Sequence, residues 1–120
     1  AIDYGERYVG LALKKQSINS AYAYKVLDSK SLDVLDEIKQ SLIDHEIDEI
    51  VIGYPIGLNS HQTRMSNVVD EFIENELKSI TTIPIHKVDE RMTSKLTNDK
   101  TIRNDDLAAL EILNSHLKND

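Results

Sequence analysis

Three groups of acidic residues, far apart along the chain, have the side-chain chemistry needed to hold divalent metal ions. They are Asp3, the pair Asp89-Glu90 and the pair Asp105-Asp106. Carboxylate oxygens are the ligands that Mg²⁺ prefers, and hydrolysis of a phosphodiester bond by two such ions places them roughly 4 Å apart. Asp3 also has a simpler explanation as a turn residue before Tyr4-Gly5, and Asp105 or Asp106 has one as a helix cap. One metal site results only if the fold brings the three groups together.

The spacing of apolar residues predicts the elements that would position these acids. Strands are expected at residues 1–3, 8–13, 21–27, 49–53 and 83–88. Helices are expected at residues 32–43 with Ser31 as cap, at 65–77, and at 107–117 with Asn104 or Asp105 near the cap. The apolar stripes of these helices include Ile43 in the first and Leu107 in the last.

The order of these elements, βββαβαβα, predicts an α/β fold with a mixed five-stranded sheet. Three antiparallel strands would come first, and parallel crossovers through helices would follow. The run 49–53 is expected to be central, 21–27 to form an edge, and Gly5 to supply a positive φ for the first reversal. Ligands of open α/β sheets bind at the carboxyl ends of strands, where Asp3, Gly53 and Asp89-Glu90 fall.

The composition favours one small, acidic, cytoplasmic domain over residues 1–120. The formal charge of -7 argues against a large basic surface for coating nucleic acid. A local basic segment remains at residues 87–103, with five basic and three acidic residues. There are no cysteines, the apolar runs are too short to span a membrane, and the four histidines lack zinc spacing. The start at Ala1 is typical of a strand whose first residues lie outside this sequence.

Four sequence blocks closely resemble, in order, those of the YqgF family. They are residues 3–12 (Asp-Tyr-Gly-Glu-Arg-Tyr-Val-Gly-Leu-Ala), 52–55 (Ile-Gly-Tyr-Pro), 89–93 (Asp-Glu-Arg-Met-Thr) and 105–113 (Asp-Asp-Leu-Ala-Ala-Leu-Glu-Ile-Leu). Members of this family are also called Holliday junction resolvases or pre-16S rRNA nucleases, and their fold is ribonuclease H-like. The resemblance implies a Mg²⁺- or Mn²⁺-dependent nuclease of the bacterial cytoplasm that acts on structured nucleic acid.

The family's acidic positions carry over to Asp3, to Glu90 or its neighbour Asp89, and to Asp105. In the roles that follow, Asp3 bridges two ions, Glu90 binds the ion near the leaving oxygen and Asp105 binds the ion that activates water. Asp89 and Asp106 are the alternatives to their neighbours. The basic residues expected to contact nucleic acid are Arg7, Arg91 and Lys95. An ion pair with one of the acids is an equal alternative for Arg91.

The sequence departs from the family pattern in two places. The segment after Gly53-Tyr54-Pro55 differs from the family's usual Leu-Asn and Asp-Gly, which puts substrate contacts there in doubt. The family also has a longer, basic, helical segment between the positions of Glu90 and Asp105. Either this protein has lost that segment, or a stretch near residues 96–101 is missing from this sequence. We expect the second, in which case the charge of the whole protein is less negative.

Several functions fit this pattern. The first is an endonuclease that processes the 5′ end of pre-16S rRNA, and the second is a resolvase of four-way DNA. A third is a nucleic-acid binding domain without catalysis, although the retained acids argue against it. The motif Asp-x-Gly-x-x-x-x-Gly also resembles the phosphate-binding hairpin of sugar kinases and actin-like ATPases, but that architecture needs two lobes. We expect a monomer or a weak dimer.

Overall fold

The computed structural model describes residues 1–55, 64–89 and 104–118. Its strands are β1 (Ile2–Tyr4), β2 (Tyr8–Leu13), β3 (Tyr22–Asp28), β4 (Ile50–Tyr54) and β5 (Ile85–Asp89). Its helices are α1 (Val34–Asp44), α2 (Arg64–Phe72), a π-helical segment (Ile73–Leu77), α3 (Lys78–Ile80) and α4 (Asp105–Lys118). The predicted order of elements is confirmed. None of the helices in these ranges is long and apolar enough to cross a membrane.

The five strands form one mixed sheet in the order β3-β2-β1-β4-β5. The pairs β1/β2 and β2/β3 are antiparallel, and the pairs β1/β4 and β4/β5 are parallel. This confirms the predicted α/β class, with the antiparallel strands first and the parallel crossovers after them. It also confirms the edge position of β3. β4 is an interior strand whose five residues are all buried, but it is not the central strand as predicted. β1 is the middle strand.

Helices cover both faces of the sheet, and alternation along the strands divides the side chains between them. On the first face, Ile2, Leu11 and Ile52 pack with Ile38 of α1 and Phe72 of α2, and we call this the α1/α2 face. On the other, the α4 face, Ala12, Val51 and Val88 pack with Ala109, Ile112 and Leu113 of α4. Neighbouring residues of one strand therefore serve different sides of the sheet.

The predicted cap of α1 and two predicted core positions are wrong. Asp33 caps α1, because its Oδ1 accepts the backbone N–H of Asp36 at 3.1 Å, whereas Ser31 lies in a turn where its N–H bonds to the carbonyl of Asp28 at 2.9 Å. Ile43 is 62% exposed and Leu107 is 44% exposed. Both helices bury narrower stripes than their sequences suggest, and Ala109 of α4 is fully buried against the sheet.

Gly5 lies in the turn between β1 and β2 for a different reason from the one predicted. None of the described glycines has a positive φ. A Cβ at Gly5 would instead lie 2.6 Å from the carbonyl oxygen of Tyr8, which is closer than real contacts allow. Lack of space across the hairpin, and not an unusual backbone conformation, therefore favours glycine at this position.

The long amphipathic helix predicted at 65–77 is present, but it is α-helical only in α2 and continues as a π-helix. Residues Ile73–Leu77 form a π-helical segment that buries Ile73 and Leu77. Phe72, the last residue of α2, stacks on Tyr4 of β1 with ring centroids 4.1 Å apart. The wider π turn keeps the apolar side chains on both sides of the transition directed into the same core.

Glu46 follows α1 in the left-handed conformation, with a φ of 51°. The N–H of Ile47 bonds to the carbonyl of Leu42 at 3.0 Å, which closes a Schellman motif that glycine usually occupies. We expect Glu46→Gly to stabilise the protein by roughly 0.5–1 kcal/mol, because the Cβ penalty exceeds the added chain entropy. Urea denaturation measures this change. Glu46→Ala, which keeps the Cβ, should bring no comparable gain, and an equal gain would contradict the explanation.

Candidate active site

Asp3 lies in the middle strand and is paired across the sheet with Gly10 of β2. Its neighbour Ile2 packs in the α1/α2 core and Ala1 packs in the α4 core, so alternation places Asp3 on the α4 face. Gly10 shares that face as its cross-strand partner. Partners of this kind have Cβ positions roughly 4.5–5.5 Å apart. Whatever packs on Gly10 therefore adjoins the Asp3 side chain.

The first turn of α4 packs directly on Gly10. A Cβ built at Gly10 would overlap the backbone carbonyl group of Asp105 and lie 2.8 Å from the backbone nitrogen of Asp106. Only a residue without a side chain permits this approach. Two acidic positions separated by about a hundred residues in sequence, Asp3 and Asp105, are thus brought together on one face of the sheet.

The N-terminus of α4 gives this region a favourable potential for negative charge. The carbonyl of Asn104 accepts the N–H of Ala108 at 3.0 Å, which makes Asn104 the cap residue and confirms one of the two predicted caps. Asp105 and Asp106 occupy the first turn. The Oδ1 of Asp106 accepts the N–H of Leu107 at 2.9 Å, so this carboxylate has a local capping partner. The helix dipole favours carboxylates and phosphates at such an end.

Asp89 ends β5 on the opposite face of the sheet from Asp3. In the parallel register, Asp89 is level with Tyr54 and Val88 is level with Gly53. Tyr54 belongs to the α1/α2 core, and Val88 belongs to the α4 core. Asp89 therefore shares its face with Tyr54, at the carboxyl end of the parallel strands but away from α4.

The remaining predicted site residues, Glu90, Arg91 and Lys95, lie outside the described residues. Within residues 1–55, 64–89 and 104–118, no three acidic or histidine side chains come together as a possible metal site. The structure thus brings Asp3 close to Asp105 and leaves Asp89 on the other face. The donors that it gathers, carboxylates beside a helix N-terminus, are of the kind that suits Mg²⁺ or Mn²⁺ rather than a thiophilic metal.

Arg7, predicted to contact nucleic acid, is held by an acidic partner. Its Nε and Nη2 donate to the two carboxylate oxygens of Asp28 at 3.2 and 3.3 Å. The guanidinium also lies over the ring of Tyr8, 4.8 Å from its centroid. The hydrogen bond to Asp28 raises the pKa of Arg7 and lowers that of Asp28. The first hairpin is further tied to α2 by Glu6, which pairs with Arg64 at 2.8 Å.

Hydrogen bonds to Asp70 connect α2 with β4 and β5. Asp70 accepts hydrogen bonds from the Tyr54 hydroxyl at 2.7 Å and from Lys87 Nζ at 2.6 Å. The ammonium of Lys87 also lies 4.7 Å from the centroid of the Tyr54 ring. Burial raises the pKa of Asp70, but the hydrogen bonds from Lys87 and Tyr54 outweigh burial and hold it below its ordinary value. Sequence reasoning missed this group because its members belong to three elements.

A cavity of about 830 Å³ lies at the opposite edge of the sheet, where β1 and β4 begin. Its lining includes Leu13, Lys15, His45 and Leu117, but not Asp3, Asp89 or Asp105. We assign the site from the acids and not from this cavity, because chemistry on phosphate requires their oxygen ligands.

Comparison with known proteins gives consistent matches over most of the chain. A family model described as "RuvX: Holliday junction resolvase" matches residues 1–119. A protein of Dictyoglomus turgidum is 34% identical over 95 residues, which are 78% of this chain and 67% of that protein. One of Dictyoglomus thermophilum is 37% identical over 95 residues (78% and 68%), and one of Rickettsia rickettsii is 31% identical over 100 residues (82% and 64%). Each is named "Putative pre-16S rRNA nuclease". The matched region thus covers about two thirds of each relative.

Gly10→Ala tests the contact that brings Asp3 and Asp105 together. The new methyl group would overlap the Asp105 carbonyl, so α4 must move away from the sheet. We expect a loss of about 1–3 kcal/mol in the free energy of unfolding, as for other overpacked positions. Amide chemical shifts of the first turn of α4 should change as well. Unchanged stability and unchanged shifts would contradict the packing described here.

The polar group around Asp70 predicts a pH dependence of stability. Because the pKa of Asp70 is lower in the folded than in the unfolded protein, its contribution is present above the unfolded value of about 4 and is lost as the pH falls through the folded value. We expect Asp70→Asn to lose less stability than wild type between neutral pH and acid pH, as measured by urea denaturation. Tyr54→Phe, which removes one of the two hydrogen bonds, should have an intermediate pH slope. Identical slopes in all three proteins would contradict this explanation.

Proposed function

The chain belongs to the RuvX Holliday junction resolvase family, and from that premise we propose that it is a divalent-metal-dependent endonuclease that processes the 5′ end of pre-16S rRNA. The names of the three relatives above support this choice of substrate. Pre-16S rRNA is a bacterial cytoplasmic molecule, so the proposal also places the protein in the cytoplasm.

The observation that carries the proposal is the packing of α4 on Gly10. It brings a carboxylate of the middle strand, Asp3, beside the first turn of a helix that contains Asp105. Asp3 lies on a strand that is hydrogen-bonded on both sides, to β2 and β4, so its backbone is held firmly. A rigid carboxylate next to a helix N-terminus suits chemistry on a phosphate, where positioning of the reacting groups dominates.

The residues that would hold Mg²⁺ or Mn²⁺ are Asp3, Asp105 and Glu90. We choose Glu90 over Asp89 because the register places Asp89 on the face away from Asp3. We choose Asp105 over Asp106 because the backbone of Asp105 packs on Gly10 and the carboxylate of Asp106 caps Leu107. Bound divalent cations supply the positive charge that activates water and stabilises the leaving oxygen.

The protein's own groups would then orient the substrate. N–H groups in the first turn of a helix can donate to phosphate oxygens, and the first turn of α4 packs on Gly10, the cross-strand partner of Asp3. The ion pair of Glu6 with Arg64 holds the first hairpin against α2, and the Asp70 group holds the ends of β4 and β5. These contacts hold the first hairpin, α2, β4 and β5 in fixed positions around the site.

Resolution of four-way DNA junctions is the second candidate function, because the matching family model carries that description. It would use the same carboxylates for the same bond cleavage, so it differs from the first candidate in substrate and not in chemistry. A binding domain without catalysis is a third reading, and the adjacent positions of Asp3 and Asp105 argue against it.

Asp3→Asn is the central test of the proposed chemistry. The wild-type chain should cleave a 5′-extended pre-16S rRNA fragment in Mg²⁺ or Mn²⁺ and leave a four-way DNA junction intact. Asp3→Asn should reduce the rate by at least about 100-fold, since even outer-shell partners of a metal contribute roughly 10–100-fold. Denaturing gel electrophoresis of end-labelled substrates measures both reactions. Equal rates in wild type and variant would exclude the assigned role.

Matched variants separate the candidate ligands from ordinary surface acids. Asp36→Asn changes an exposed acid of α1 on the other face and should leave the rate at its wild-type value. Glu90→Gln should resemble Asp3→Asn, whereas Asp89→Asn should lower the rate by a smaller factor. If Asp89→Asn abolished cleavage and Glu90→Gln did not, the choice between these neighbours would be reversed. Cleavage of the junction alone would favour the second candidate function.

A further inference from the structure

Tyr8 lies on the α4 face of β2, two residues before Gly10, the residue on which the first turn of α4 packs. It is the first residue of β2, and alternation places it on the same face as Gly10, two positions further along. Its cross-strand partner is Asp28 of β3, while Gly10 is the partner of Asp3. Tyr8 is therefore the diagonal neighbour of Asp3, and such neighbours lie roughly 7–8 Å apart, within reach of an aromatic side chain.

Tyr8 differs from the tyrosines that pack in the core. Tyr4, Tyr24 and Tyr54 all belong to or pack against the apolar cluster of the α1/α2 face. Tyr8 is half-buried and is a member of neither core cluster of the described residues. The strand that continues from it, residues 9–13, is fully buried. A half-buried aromatic ring at the end of a buried strand, diagonal to the candidate catalytic acid, suggests a role in recognition.

The ring of Tyr8 makes a cation–π contact with Arg7. The Arg7 guanidinium lies 4.8 Å from its centroid, and the two hydrogen bonds to Asp28 hold the guanidinium in place. Because Asp28 compensates the charge of Arg7, this pair contributes little net attraction for the phosphate backbone. What it offers is a planar cation and an aromatic ring in contact, which is the combination that stacks on nucleobases.

We propose that Tyr8, together with the Arg7 guanidinium that lies over its ring, forms a platform for an unpaired nucleobase adjacent to the phosphate at Asp3. The proposal rests on the proposed function and narrows its substrate to a single-stranded segment. Bases inside a duplex are already stacked and paired, whereas those of a single strand can be turned out onto an aromatic side chain. Stacking also tolerates any base, so the platform would set the structural class of the substrate and not its sequence.

Binding without metal tests the platform separately from cleavage. The probe is a fluorescein-labelled single-stranded RNA from the 5′ extension of pre-16S rRNA, measured by fluorescence anisotropy in EDTA. Tyr8→Leu should weaken binding about 5- to 150-fold, the range that corresponds to stacking of one base. Tyr8→Phe keeps the ring and should stay within about twofold of wild type. Tyr22→Leu, at the other end of the sheet, is the matched control and should bind as wild type does.

Two further probes assign the effect to base stacking. Moving a single abasic nucleotide along the RNA should identify one position at which wild type and Tyr8→Leu bind equally. A DNA strand of the same sequence should lose affinity by a similar factor on Tyr8→Leu, because the ring contacts the base and not the sugar. Thermal unfolding followed by circular dichroism establishes that each variant is folded.

The outcomes separate this inference from the proposed function. Unchanged affinity in Tyr8→Leu, equal loss in Tyr8→Phe, or loss on RNA but not on DNA would overturn the platform, even if the wild type cleaves its substrate. A specific Tyr8 effect on binding, together with no cleavage by the wild type in metal, would support the platform and overturn the nuclease proposal. A blunt RNA duplex serves as a further probe. If Tyr8→Leu weakened binding of this duplex as much as binding of the single strand, the platform would also be overturned.

Discussion

The absence of a side chain at Gly10 is the constraint on which the candidate site depends. It lets the backbone of Asp105 pack on β2, and small residues continue the same contact, with Ala12 on the strand and Ala109 on the helix almost fully buried. Side chains normally separate the backbone of a helix from the backbone of the sheet on which it packs. Here the first turn of α4 comes much closer, and it does so beside the strand that contains Asp3.

Alternation of side chains then decides which acids can cooperate. Asp3 and Asp89 both lie at carboxyl ends of parallel strands, which suggests a common site when only the sheet edge is considered. The register shows that they serve opposite faces, because Asp89 is level with Tyr54 of the α1/α2 core. An acid one residue further along a strand belongs to the other face. Whether Asp89 or its neighbour Glu90 joins Asp3 therefore depends on the face of the sheet, and the shared edge does not decide it.

Most of the fold could be predicted from the sequence because each element has a strong local pattern. The strands, helices and their order along the chain followed from apolar spacing, and the antiparallel start with later parallel crossovers followed from rules of connection. What failed depended on tertiary context. Local propensity does not distinguish Asp33 from Ser31 as the cap of α1. It also does not show how much of the apolar face of α4 is buried, and so whether Leu107 is buried. The pairing of Asp3 with Gly10 depends on the register between two strands, which one sequence does not specify. The hydrogen bonds of Asp70 could not be predicted because they join residues of three different elements.

The charge of the chain limits how it can hold a nucleic acid. With a net charge of -7, release of counterions by a broad basic surface is not available as the main source of affinity. In the described part of the chain, Arg7, Lys25, Arg64, Lys78 and Lys87 all form ion pairs with acids. These cations mainly tie elements together and add little attraction at long range. The described residues would therefore contribute affinity mainly through short-range contacts, such as hydrogen bonds at the start of α4 and stacking on the half-buried ring of Tyr8, while the basic residues of the segment 87–103 would supply charge. Such contacts depend on the shape of the substrate more than on its charge.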